Sequence, residues 1–133
     1  MKGPRSGGTV AQFQTHLHHW DQTIRLRRLS SYPDLLAIVD TGATYCLFNG
    51  VRAAAIGLQL GNGRLEQLAG LAGGLMARIH PVTLEIAGHR FECEVAFSEQ
   101  DIERELLGRH TLFRQVRFGF REGISMAYFH PVR

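Results

Sequence analysis

Five consecutive apolar residues, Leu35-Leu36-Ala37-Ile38-Val39, run directly into an acid, Asp40, and then into Thr41-Gly42-Ala43-Thr44. An uninterrupted run of this length, rich in branched side chains, predicts a strand buried on both faces. Asp40 ends it abruptly, so the chain must carry one carboxylate to a turn at the edge of its core. Read by itself, such a turn is one in which Asp accepts backbone hydrogen bonds. What lies on either side decides whether it can do more.

The flanking sequence is dominated by a period of two. Val10 to Leu17 places Ala11, Phe13 and Leu17 on one face and Gln12, Gln14, His16 and His18 on the other, and Thr23 to Leu29 repeats the alternation. These two segments are expected to pair as a hairpin. Ser30 to Asp34 supplies a turn before the apolar run. Val82 to Ile86 and Phe91 to Phe97 alternate around Ala87-Gly88-His89-Arg90 and form the clearest antiparallel hairpin. Val116 to Phe120 and Ile124 to Phe129 flank Arg121-Glu122-Gly123 and predict another. Helical signals are short: Val51 to Leu60 with Gly57 as terminator, a turn over Asp101 to Glu105, and Thr111 to Gln115. Gly61-Asn62-Gly63 reads as a tight turn. Leu65 to Ile79, interrupted by Gly70-Leu71-Ala72-Gly73-Gly74, reads as a glycine-tipped, mobile hairpin. The fold class is therefore mostly β, a small closed barrel or folded antiparallel sheet with one or two short helices.

The 133 residues suit one domain. Residues 1 to 8, rich in Gly, Pro and basic side chains, read as a flexible leader, and residues 9 to 133 as the folded unit. Net charge is only +3, with the densest basic run, Arg25-Leu26-Arg27-Arg28, broken by apolar side chains. A solvated strand face explains that run better than a nucleic-acid surface, and no nucleic-acid partner is expected. No apolar stretch is long enough to span a membrane and Met1 to Gly8 has no signal-peptide core, so a cytoplasmic protein is expected. Cys46 and Cys93 sit among apolar neighbours and read as two buried, reduced thiols.

Histidines invite a metal hypothesis at His16, His18 and His19 beside Trp20 and Asp21. Only His16 and His18 would share a strand face, and no acid or Cys follows at a suitable spacing, so no metal and no other cofactor is expected. His80, His89, His110 and His130 are scattered and form no nucleophile arrangement with either cysteine.

The segment Ala37-Ile38-Val39-Asp40-Thr41-Gly42-Ala43-Thr44 resembles the active-site signature of aspartic proteases of the retropepsin-like family. The order of the remaining motifs is similar too. Leu106-Leu107-Gly108-Arg109 matches the family's second signature, two apolar residues and a glycine, which the resemblance places beside the active-site strand. The glycine-rich hairpin, with Leu71, Ala72, Gly73 and Gly74 at its tip, lies where such proteases carry a substrate-covering flap. Ile56-Gly57-Leu58 resembles a segment that follows the Asp-Thr-Gly loop in bacterial relatives. The resemblance runs from about Phe13 to Tyr128. One position departs from it: relatives often carry an acid or Asn shortly after the downstream glycine, whereas here Arg109-His110 follows.

What the resemblance implies is an aspartic endopeptidase hydrolysing peptide or protein substrates, with Asp40 as catalytic residue. Thr41 would hydrogen-bond across a dyad, Gly42 would offer its N–H to a carboxylate, Ala43 would leave room for substrate, and Thr44 would orient the outer carboxylate oxygen. The chemistry needs two carboxylates sharing a proton, and this chain holds one copy of the motif, so a homodimer is expected to supply the second. The competing expectation is a catalytically silent binding or dimerisation module of the same fold. An intact Asp40-Thr41-Gly42 favours the enzyme, because a binding module has no need of that carboxylate.

Overall fold

The computed structural model describes residues 9–12, 21–27, 34–69, 74–86, 88–121 and 126–132. The leader, His16, His18, His19, the hairpin residues Leu71, Ala72 and Gly73, and the turn at Glu122 and Gly123 lie outside the described residues.

Among the described residues, ten strands and one short α-helix follow in chain order: β1 (Thr9–Gln12), β2 (Asp21–Arg27), β3 (Asp34–Val39), β4 (Leu47–Asn49), α1 (Val51–Ala55), β5 (Arg64–Leu68), β6 (Leu75–Ile86), β7 (His89–Ser98), β8 (Leu106–Leu107), β9 (Val116–Arg121) and β10 (Met126–Pro131). Seven form a mixed sheet in the order β2-β3-β8-β4-β7-β6-β5, and three form a separate sheet, β1-β10-β9. The mostly β expectation holds, but the large sheet is not closed as a barrel. The twelve-residue β6 takes part in three of the pairings. One edge of β6 pairs with β7 along most of its length; the other is shared in succession, β5 pairing with Leu75 to Ile79 and β2 with Thr83 to Ile86. The sheet thus folds over on itself while the strand order ends on β5.

Two local expectations are met in detail. The Val82 to Phe97 hairpin is present, with Gly88 at φ +82° in its turn, a conformation that favours glycine. Gly57, at φ +79°, terminates α1: its N–H donates to Ala54 O and the N–H of Leu58 reaches Ala53 O at 2.8 Å, the paired bonds of a Schellman end. The C-terminal hairpin is also formed, Met126 facing Arg121 and Pro131 facing Val116.

Other expectations are corrected. Among the described residues, the segments at Val10 and Thr23 do not pair with each other: β1 adds to β10, and β2 lies between β3 and β6. Asp101 to Glu105 is irregular, because Asn49 takes the place of helical bonds there, accepting from Ile102 N and donating to Ile102 O at 2.8 and 3.2 Å. By contrast, the tight turn expected at Gly61-Asn62-Gly63 is present as the 3-10 turn Leu60–Asn62, and the short helix expected over Thr111 to Gln115 as the 3-10 turn Phe113–Gln115. Finally, β3 is not buried on both faces. Leu35, Ala37 and Val39 are in the core, while Leu36 is 42% exposed. Within the described residues the run therefore alternates as a half-covered strand does.

The core gathers Leu35, Ala37 and Val39 of β3 with Phe48, Leu84, Ile86, Val95, Phe97 and Leu107. Phe48 and Phe97, both fully buried, meet with ring centroids 6.0 Å apart. Burial of such a side chain stabilises by roughly 1.5–3 kcal/mol, so this pair fastens β4 to β7, one strand beyond β8 from Asp40. No helix among the described residues is long and apolar enough to cross a membrane.

Candidate active site

Asp40 leaves β3 at the point where β8 runs parallel to it, Ile38 opposite Leu106 and Val39 opposite Leu107. β8 is only two residues long, yet it fills the gap between β3 and β4. Carbonyls of β8 and of the residue before it hold the strand end: Asp40 N–H donates to Leu107 O, and Ile38 N–H to Glu105 O, both at 2.9 Å. The chain then turns, with Ala43 N–H donating to Asp40 O at 3.1 Å. Gly42 N–H donates to Asp40 Oδ1 at 2.9 Å. A Cβ at Gly42 would lie 3.3 Å from that oxygen, so glycine lets the backbone close over the carboxylate.

The second signature docks on this loop. Arg109 N–H donates to Ala43 O at 3.0 Å and His110 N–H to Thr44 O at 2.6 Å. Gly108 is the necessary residue at the crossing, since a Cβ there would stand 2.2 Å from the Tyr45 carbonyl oxygen. Its N–H approaches Cys46 Sγ at 3.4 Å. Burial pushes the Cys46 thiol up to about 12, and Cys93 likewise to about 12. Both cysteines are free and buried, and neither has the low pKa a nucleophilic thiolate needs.

The structure therefore brings Asp40, Thr41, Gly42, Ala43 and Thr44 together with Leu106, Leu107 and Gly108. Thr44 uses its carbonyl on His110; among the described residues its hydroxyl forms no hydrogen bond to Asp40. Gly74 is exposed and stands just before Leu75, which pairs with Leu68 as the last described rung of the β5–β6 hairpin.

Between the loop and that hairpin lies a cleft of about 450 Å³. Gly42, Ala43 and Thr44 form one side; Leu47, Leu68, Leu75 and Leu106 line it with aliphatic groups. Asp40 is not itself a lining residue but sits two positions from Gly42. Among the cleft residues that escaped the sequence reading are Tyr45 and Glu66. The Tyr45 hydroxyl donates to Glu66 Oε1 at 3.0 Å, and Arg64 pairs with the same oxygen at 3.3 Å. Burial, then the Glu66 carboxylate, push the Tyr45 phenol above its ordinary range. The available signal was position: Tyr45 directly follows the motif and Glu66 lies on a strand leading to the glycine-rich tip.

Other ionisable groups have structural partners. Buried His80 bonds Leu60 O at 2.9 Å. Glu105, 8% exposed, receives both Nε and a terminal nitrogen of Arg52 at 2.6 Å, and also Asn49 N–H. Among the described residues no group of three or more His, Cys, Asp and Glu side chains is arranged to hold a metal.

No family model matches the chain. No curated protein matches it by sequence. By structure it is similar to a retropepsin-like aspartic protease from Rickettsia conorii, at TM-score 0.68 and 16% identity, over 93% of this chain and 99% of that one. It is also similar to the EIAV protease in complex with an inhibitor, at TM-score 0.51 and 21% identity, over 67% of this chain and 80% of that one. At these identities the likeness is one of fold: the chain has the retropepsin-like fold.

Proposed function

We propose that the chain is one subunit of a homodimeric aspartic endopeptidase in which Asp40 and Asp40 of a second copy form the catalytic dyad. The observation that carries this reading is the seat of Asp40: a partly exposed carboxylate at the end of a core strand, its main chain held by β8 and its Oδ1 by Gly42 N–H, beside a largely aliphatic cleft. A single such acid cannot both activate water and protonate a leaving group. Two brought close cannot both ionise, so the pair holds one proton.

The ionised member takes a proton from water as its oxygen attacks the scissile carbonyl carbon, while the protonated member donates to the carbonyl oxygen. The resulting tetrahedral diol collapses with cleavage of the C–N bond: the amine leaves with the proton that the first carboxylate took from water, and one diol hydroxyl returns its proton to the other carboxylate, so the dyad again holds one proton. Thr41 would brace the two loops against each other, and Ala43 keeps the floor small where substrate passes. Leu71, Ala72, Gly73 and Gly74 would form the flap over the bound peptide.

The reading is tested by peptide cleavage at acidic pH across a dilution series, with sedimentation run in parallel. Specific activity should fall as the dimer dissociates, and a pepstatin-type inhibitor should block it. The rate should decline at both pH extremes, since the dyad loses its proton on one limb and gains a second on the other. Constant specific activity from a sedimenting monomer would refute the shared dyad.

A further inference from the structure

His110 occupies the place where this chain departs from the pattern of similar proteases, and three contacts converge on it. Its N–H is bonded to Thr44 O at 2.6 Å, its ring lies against the Tyr45 ring with centroids 4.8 Å apart and planes at 58°, and its Nε2 meets Glu94 Oε1 at 3.0 Å. The backbone beside it is unusual. Thr111 sits at φ +63°, a left-handed conformation that β-branched residues avoid. Glu94 holds it there, since Glu94 N–H donates to Thr111 Oγ1 at 2.9 Å while that hydroxyl donates to His110 O at 2.7 Å. Glu94 thus grips the turn by its main chain and the imidazole by its side chain.

Tyr45 is what this turn presses on. With its ring against His110 and its hydroxyl on Glu66, Tyr45 joins the active-site loop to β5 across the cleft wall. Tyr45 and Arg64 both meet the same Glu66 oxygen, Oε1, and four leucines supply the aliphatic part of the cleft lining. We propose that His110 is a positioning residue for substrate recognition, holding Tyr45 as the wall that fits the cleft to an aliphatic substrate side chain. This rests on the protease reading and adds to it a residue that touches neither the dyad nor the peptide.

The test is steady-state cleavage of a peptide library varied in the side chains flanking the scissile bond, comparing wild type with His110→Ala, His110→Gln, Tyr45→Phe and Asp40→Asn. Loss of one such contact corresponds to a KM about three- to tenfold higher for aliphatic peptides in His110→Ala and Tyr45→Phe, with kcat within about twofold of wild type. Aromatic side chains should be admitted more readily as the wall loosens. His110→Gln, which can still donate to Glu94, should recover part of the loss. Should His110→Ala fail to fold, the other two variants carry the measurement. Unchanged KM and side-chain preference, or a fall in kcat alone, overturns the inference and leaves the protease reading standing. A wild type that cleaves no more of the library than Asp40→Asn overturns both.

Discussion

Two carboxylates bracket the β3–β8 junction, and they are held in opposite ways. Glu105, just before β8, is 8% exposed, takes a two-nitrogen clamp from Arg52 and accepts Asn49 N–H besides. The clamp raises the Arg52 pKa, chiefly through its hydrogen bonds to Glu105. Asp40, at the end of β3, is partly exposed and accepts Gly42 N–H, and no cation pairs with it among the described residues. A buried charge must be satisfied where it stands, whereas a carboxylate at the mouth of a cleft can remain available for a second group. The same short segment holds the end of β3: the Glu105 carbonyl, just before β8, accepts from Ile38, and the Leu107 carbonyl, in β8, accepts from Asp40. One acid braces the platform on which the other is presented.

Replacing each acid should separate these roles. For Asp40→Asn we expect peptide hydrolysis to fall by a factor on the order of 10³ or more, the scale of lost acid–base catalysis. Its unfolding free energy should move by no more than about 0.5 kcal/mol, and upward if a second copy's carboxylate stood nearby. Paired assays of cleavage and urea unfolding check both numbers; a large loss of stability would make Asp40 a second brace.

Glu105→Ala should show the reverse weighting, destabilising by about 2–4 kcal/mol because Arg52 and Asn49 N–H lose their acceptor. The value lies below that of a wholly buried pair, since Arg52 keeps 31% exposure. Denaturant unfolding measures it, and a change under about 0.5 kcal/mol would reduce the clamp to a surface pair.

Gly108→Ala probes the crossing that joins β8 to the loop. A methyl group 2.2 Å from the Tyr45 carbonyl oxygen forces backbone apart, with an expected cost of about 1–3 kcal/mol. Because the loop itself must shift, cleavage should weaken along with stability, unlike in either acid variant.

The smallest effect is expected at Glu94, whose carboxyl is held below its usual range first by the His110 hydrogen bond, with Arg64 and Arg114 contributing. A lowered folded-state pKa stabilises fully above the ordinary carboxylate range and is lost as pH falls through the folded value. Glu94→Gln should therefore be less stable than wild type near neutrality, by no more than about 1 kcal/mol for a pair this exposed, and the gap should close in acid. Unfolding curves across the pH range decide it; a gap widening in acid would reverse the assignment.

Much of this arrangement was legible along the chain because it is written in short spans. Gly57 and Gly88 stand where positive φ is needed, and the alternation from Val82 to Phe97 is that of a half-buried hairpin. The Asp40 turn, with Gly42 closing on the carboxylate, was read from three adjacent letters. The apolar run at Leu35 misled, because five apolar letters do not reveal whether a second layer exists to cover Leu36. The β1–β10 pairing and the Asn49–Ile102 exchange join distant segments, and no local period announces them.

The sequence by itself determined a mostly β chain with one acid delivered to a turn, and a single copy of the motif from which a dimer is inferred. These follow from backbone sterics and side-chain alternation, which act over a few residues. Only the tertiary structure decided that β6 is shared between β5 and β2, that Glu105 is clamped while Asp40 is left open, and that Tyr45, Glu66 and His110 meet at one wall. Those outcomes depend on which distant surfaces pack together, a choice made by the summed burial of the whole core rather than by the residues on either side of each contact.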